Sequence, residues 1–158
     1  MKKTVLTYGL ISGVIAAVLM LAHVPFMDGS STALIVGYTG IVLSALLIFF
    51  GVRAYREKVG NGKLSFGRGF AVGILIALIS TACYVAAWEV VYYSSPEVAD
   101  HIFDKQVEEL KATGAAREVE SFKKLYANPF VNVAFTFIEP FPVGLLMTLI
   151  AAVALRRK

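Results

Sequence analysis

The chain has 158 residues, 58% of them hydrophobic, with a mean hydropathy of +0.72 and a formal net charge of +4. That balance excludes an ordinary soluble domain and points to helices that cross a bilayer. The one cysteine, Cys83, excludes an intrachain disulfide and a CxxC pair, and with them the small quinone-linked thiol oxidases.

Resolved by position, the charge is strongly asymmetric. Ten of the fifteen Lys and Arg residues fall in three short segments, at 2–3, 53–68 and 156–158, whereas the 93–129 connection is acidic on balance. Orientation by the positive-inside rule explains this pattern without a nucleic-acid partner.

The first apolar run, 5–26, follows a Met-Lys-Lys start. A cleaved leader is the competing reading, but the run is long for one, contains Gly9 and Gly13 and lacks a small-x-small cleavage site. It reads as a spanning helix, with Gly9 and Gly13 spaced for close helix approach. After a polar turn at 27–32, a second run at 33–52 is long enough for one crossing at about 1.5 Å per residue. The basic 53–68 connection holds a Gly60-Asn61-Gly62 turn signal. Its Arg53, Arg56, Lys58, Lys63 and Arg68 can contact lipid phosphates; the plainer reading makes them topology determinants only.

The third run, 70–93, has Ser65 as its expected N-cap and Gly69 and Gly73 as a second close-approach pair. At 100° per residue, Glu89 falls in line with Ala71, Leu75, Leu78, Ala82 and Ala86, a small-residue row expected to pack on other helices. Trp88, Tyr92 and Tyr93 suit an interfacial belt. Beyond them, Ser95-Pro96-Glu97 opens an amphipathic helix over about 96–112, followed by another over about 115–127. Neither is apolar enough to span, and both are expected across the outer mouth of the bundle or on the membrane surface. The fourth run, 130–155, contains Glu139-Pro140-Phe141-Pro142. Pro140 and Pro142 remove the amides that would bond the carbonyls of Thr136 and Ile138, so a broken helix is expected. The fold class is therefore all-α membrane, one domain of four transmembrane helices, with both termini cytoplasmic.

Three ionisable residues stand inside the apolar runs. Glu89 lies about 6 Å short of the end of its span, Glu139 about 10 Å below the outer face of its own, and His23 at a similar level. Two carboxylates and an imidazole facing one cavity could bind a cation or relay protons. In the plainer reading Glu89 bonds a tyrosine hydroxyl, Glu139 caps the proline break and His23 bonds at the interface. Glu97, His101, Asp104 and Glu108 share one face of the first outer helix, a pattern able to hold a divalent metal but more simply a solvated face. No nucleophile elbow, HExxH, P-loop or dinucleotide fingerprint is present.

Tyr55-Arg56 precedes the glycine turn, and Ser65-Phe66-Gly67 leads into Gly69-Phe70 and Gly73. The third run ends near Tyr92-Tyr93 with Pro96 beyond it, and Leu149-Ile150-Ala151 precedes a basic tail. Together these resemble the core of a bacterial membrane family known as domain of unknown function 4199. The resemblance covers nearly the whole chain and implies four spans, an outer helical connection and a bacterial inner membrane. That family has no established activity, so it assigns no role to Glu89 or Glu139. The first functional expectation is a non-enzymatic bundle acting through the bilayer and through contacts with its own copies or another membrane protein, with no cofactor. The alternative is a small proton- or cation-coupled transport module built on the intramembrane carboxylates. A membrane-embedded enzyme acting on lipid is the third, and it lacks a visible nucleophile or metal set.

Overall fold

In hydrocarbon a backbone must satisfy its own amides, and a helix does so within one segment. The computed structural model describes residues 1–24, 31–98 and 123–157, together with 100, 101, 104, 108 and 121. Its long helices are α1 (Lys2–His23), α2 (Ser31–Lys58), α3 (Phe66–Ser94), α4 (Pro129–Ile138) and α5 (Phe141–Ala154). With Pro129–Ala154 taken as one broken span, four helices are long and apolar enough to cross a membrane. Among the described residues there is no strand, only an isolated bridge between Leu64 and Arg157.

The helix ends follow local chemistry. Ser65 caps α3, its hydroxyl accepting from the Arg68 amide at 3.4 Å. Asn128 caps α4 through the Phe130 amide, with Pro129 at the first helical position. Helix α2 runs on through Arg53, Arg56 and Lys58, so the basic connection begins as helix and turns only at 59–63. There Asn61 and Gly62 take positive φ values of 49° and 82°. Glu139 and Pro140 interrupt the fourth span, the break that the missing proline amides demand. Most of 96–112 and 115–127 lies outside the described residues; 96–98 and 123–126 are helical.

Glycines set the helix spacing and reveal the order of packing. A Cβ on Gly9 would lie 3.0 Å from Ile79, and one on Gly13 would lie 2.6 Å from the Cys83 sulfur, so α1 and α3 run parallel in close contact. Gly73 and Gly69 admit Thr148 and Ala152, an antiparallel contact between α3 and α5. Gly37 receives His23, and Gly51 receives Tyr8, which makes α1 and α2 antiparallel. All three basic segments therefore gather at one end of the bundle.

Helix α3 is central, burying Val72, Gly73, Ile76, Ala77, Ser80, Thr81, Tyr84 and Trp88 along one side. The row Ala71, Leu75, Leu78, Ala82 and Ala86, expected inside, lies instead on the outer side, half-buried at Ala71 and exposed at the other four. Glycine decides between the two rows: Gly69 and Gly73 let backbones approach more closely than alanine does. Trp88 also departs from its expected place in the belt, being buried with 7% exposure, whereas Tyr93 is exposed. An apolar cluster including Ile48, Val52, Leu64, Val72 and Ile76 fills the basic half. A second, of Ala16, Met20, Ile41, Tyr84 and Trp88, fills the other half, where Val98 packs against it.

Candidate functional site

Between the two clusters the bundle is polar. The Ser12 hydroxyl donates to the Ser44 carbonyl at 2.8 Å, and its oxygen lies 2.9 Å from Ser80 Oγ. One proton cannot serve both contacts, so the Ser80 hydroxyl donates back to Ser12. Ser44 in turn bonds the Ile41 carbonyl at 2.8 Å. Three helices are thus tied by hydroxyls that none of them exposes.

Toward the end away from the basic segments, α4 and the residue that caps it place Asn132, Thr136 and Glu139 at i, i+4 and i+7 on one face, the first two buried and Glu139 exposed. These meet the inner side of α3. The Trp88 indole donates to Asn132 Oδ1 at 3.0 Å, and Thr136 donates to the same oxygen at 3.4 Å. Because indole N–H only donates, it fixes the amide with its oxygen toward Trp88. Asn132 is fully buried, and its Nδ2 has no partner among the described residues. The Tyr126 hydroxyl lies 3.4 Å from Thr136 Oγ1 and closes the chain from above. Burial holds that phenol above its ordinary range; the Thr136 hydrogen bond opposes this, and the nearby Glu139 and Glu89 carboxylates push it further up.

Deeper in, the Tyr84 hydroxyl donates to Glu139 Oε2 at 3.0 Å. Tyr84 and Pro140 also line a narrow cavity with His23, Ser44, Ser80, Thr81 and Gly37. Its volume, about 20 Å3, is room for roughly one water. His23 lies flat on α2, since a Cβ at Gly37 would fall 2.8 Å from its Cε1. Its Nε2 is buried and without a hydrogen-bond partner among the described residues. From Glu139 a polar line therefore passes through Tyr84 and the cavity to the Ser80–Ser12–Ser44 triad, where the apolar cluster of the basic half ends it.

The structure thus brings His23 and Glu139 to one place, beside the break at Pro140 and Pro142. Glu89 belongs elsewhere. It is 500° of helical rotation past Tyr84, about 140° around the axis, and continues the outward row. Its Oε1 is covered and has no partner among the described residues. What Glu89 and Glu139 share is Tyr126, on which both carboxylates act. Glu97, His101, Asp104 and Glu108 are all exposed, and among the described residues no three His, Cys, Asp or Glu side chains are placed to hold a metal. Asp104 pairs with Lys123 instead, tying the two outer segments. Of the basic residues, Arg53 and Arg56 share Glu57, at 2.9 and 3.5 Å.

Tyr84, Trp88, Asn132, Thr136 and the three serines were not among the expected site residues. The Asn132-Thr136-Glu139 spacing is the signal that points to them: three polar residues on one face of an otherwise apolar run.

A bundle of four apolar helices around an internal polar line defines a multi-pass membrane protein. Residues 7–157 match the family described as "Protein of unknown function (DUF4199)", and the chain belongs to it. No curated protein and no solved structure matches the chain.

Proposed function

We propose that this chain is a small proton- or cation-handling membrane module, with Glu139 as its working carboxylate and no chemical transformation of its own. The observation that carries the reading is the Tyr84–Glu139 hydrogen bond at a broken helix, beside a water-sized cavity that also holds His23. Ionisable groups are costly at membrane depth and concentrate where ions or protons pass. The apolar cluster around Val52, Val72 and Ile76 would seal the resting state on the basic side, so passage requires movement. The interrupted fourth span is the natural hinge, because its carbonyls already lack amide partners. By the positive-inside rule the basic end faces the cytoplasm of a bacterial inner membrane, and the polar line opens outward.

The test is proton or cation uptake by proteoliposomes carrying the full chain, with a pH-sensitive or cation-sensitive dye inside and an imposed potential. Uptake should exceed that of protein-free vesicles, be lost in Glu139→Gln and persist in Glu89→Gln. Wild-type vesicles that match protein-free ones, or Glu139→Gln vesicles that match wild type, overturn the proposal.

A second reading, helix-mediated assembly, rests on the outward row of α3. The close-approach glycines Gly9, Gly13, Gly69 and Gly73 are spent within the chain, but Ala82 and Ala86 remain open to a partner helix. Ala82→Cys cross-linking in native membranes should trap one specific neighbour; a strictly monomeric pattern counts against it.

A further inference from the structure

The basic end carries a feature that orientation alone does not require. Leu64 and Arg157 exchange two backbone hydrogen bonds, both 2.9 Å, which clasp the C-terminal tail onto the turn before α3. Leu64 is 2% exposed, so the clasp is anchored in the apolar cluster beneath it. The clasp draws Lys63, Arg68, Arg156 and Arg157 around a single open groove of about 830 Å3, lined otherwise by Gly60, Leu64, Ser65, Phe66 and Gly67. All four cationic residues are exposed, and none has an ion-pair partner among the described residues. Arg53 and Arg56, by contrast, already face Glu57.

Four like charges around one groove repel one another, and with no carboxylate among the described residues of its lining the groove focuses a positive potential. Guanidinium forks match the oxygens of a phosphate in pairs, and a lysine adds a point charge. We propose that this groove is a binding site for a phosphate group, held by Lys63, Arg68, Arg156 and Arg157. Its place at the end of the apolar helices, beside the exposed Phe66, puts it at the depth of phospholipid headgroups. A headgroup phosphate and a free phosphate anion share this chemistry. The site is separate from the Glu139 region and stands or falls independently of it.

The experiment follows the thermal unfolding of the purified full chain in neutral detergent. Short-chain phosphatidylglycerol, short-chain phosphatidylcholine and inorganic phosphate are titrated separately, and then inorganic phosphate against phosphatidylglycerol. Variants are Arg156→Gln with Arg157→Gln, and Lys63→Gln with Arg68→Gln; Lys2→Gln with Lys3→Gln is the control at the same end of the bundle. The clasp uses only backbone atoms of Arg157, so the first pair keeps the fold while removing two donors. Saturable stabilisation by phosphatidylglycerol should weaken at least about tenfold in each groove pair, as loss of charge-assisted hydrogen bonds requires, and stay unchanged in the control. Competition by inorganic phosphate identifies a free anion as the ligand; its failure, with phosphatidylglycerol still saturating, identifies the lipid headgroup. Absence of saturable binding, groove variants equal to wild type, or an equal loss in the control overturns the site.

Discussion

Tyr84 and Glu139 stand 55 positions apart in the chain and 3.0 Å apart across the contact between α3 and the break that follows α4. The phenol is the donor, and the carboxylate it meets belongs to the turn that separates α4 from α5. One hydrogen bond thus links the central helix to the interruption in the fourth span. Tyr84→Phe removes the donor and leaves the ring in place. Interhelical bonds of this kind are worth roughly 0.6–1.7 kcal/mol in membrane proteins, and the variant should lose about that much in denaturant titrations in detergent. A variant as stable as wild type would show that the bond contributes nothing to the folded bundle.

The Trp88–Asn132 pair makes a sharper case, because Asn132 is fully buried and its oxygen accepts from both Trp88 and Thr136. Trp88→Phe strips the stronger donor and opens a gap, whereas Asn132→Leu removes the acceptor that the indole N–H meets at 3.0 Å. Each should cost about 1–3 kcal/mol. In the double variant the mismatched polar group is gone from both sides, so its cost should fall below the sum by at least about 0.5 kcal/mol. Additive losses in that cycle would place the two residues in separate environments.

Two glycines separate spacing from flexibility. A methyl at Gly13 would sit 2.6 Å from the Cys83 sulfur and 2.8 Å from its Cβ, while a methyl at Gly67 would meet nothing within 4 Å. Gly13→Ala should therefore destabilise by about 1–3 kcal/mol through overpacking. Cys83→Ala should relieve part of that loss, because its sulfur is one of the two clashing atoms. Gly67→Ala, in the first turn of α3, should stabilise by up to about 1 kcal/mol from helix propensity. Equal responses at the two positions in thermal unfolding would contradict the close contact between α1 and α3.

The long apolar helices were legible in the sequence and their rotation was not. The four apolar runs, the Gly60-Asn61-Gly62 turn and the Pro140–Pro142 break each follow from length or from a missing amide, and the structure carries four long apolar helices, positive φ at Asn61 and Gly62, and an interruption at Glu139 and Pro140. Glu89 was a different problem. Helix α3 carries small residues on two sides, so the row through Ala82 and Ala86 looked as able to pack as the row through Gly73 and Ser80. Hydropathy does not distinguish them, because a lipid-facing alanine and a buried one have the same transfer energy. The choice falls to backbone approach, which only the partner helix reveals. The same gap hid Trp88, which suits a belt by its place in the sequence but turns inward to its acceptor Asn132 on α4, and Tyr84, which meets Glu139 just beyond it. Asn132, Thr136 and Glu139 did share a visible face, and weighing that spacing would have drawn the site toward Glu139 and away from Glu89. Nothing in the sequence signalled that Arg156 and Arg157 fold back on Lys63, since a two-bond bridge leaves no pattern.

The clasp gives the last prediction, because its backbone and its side chains serve different ends. Deleting residues 156–158 removes both Leu64–Arg157 hydrogen bonds and uncovers Leu64, which is buried at the floor of the turn. At about 0.5–1.5 kcal/mol for each bond, the truncated chain should lose roughly 1–3 kcal/mol. Arg156→Gln with Arg157→Gln keeps both bonds and should leave stability within about 0.5 kcal/mol of wild type, as exposed charges away from buried features do. Measured side by side in lipid-free detergent, the two variants should therefore differ in unfolding midpoint. If the charge-neutral pair falls as far as the truncation, the side chains rather than the backbone bridge hold the tail, and the clasp is wrongly assigned.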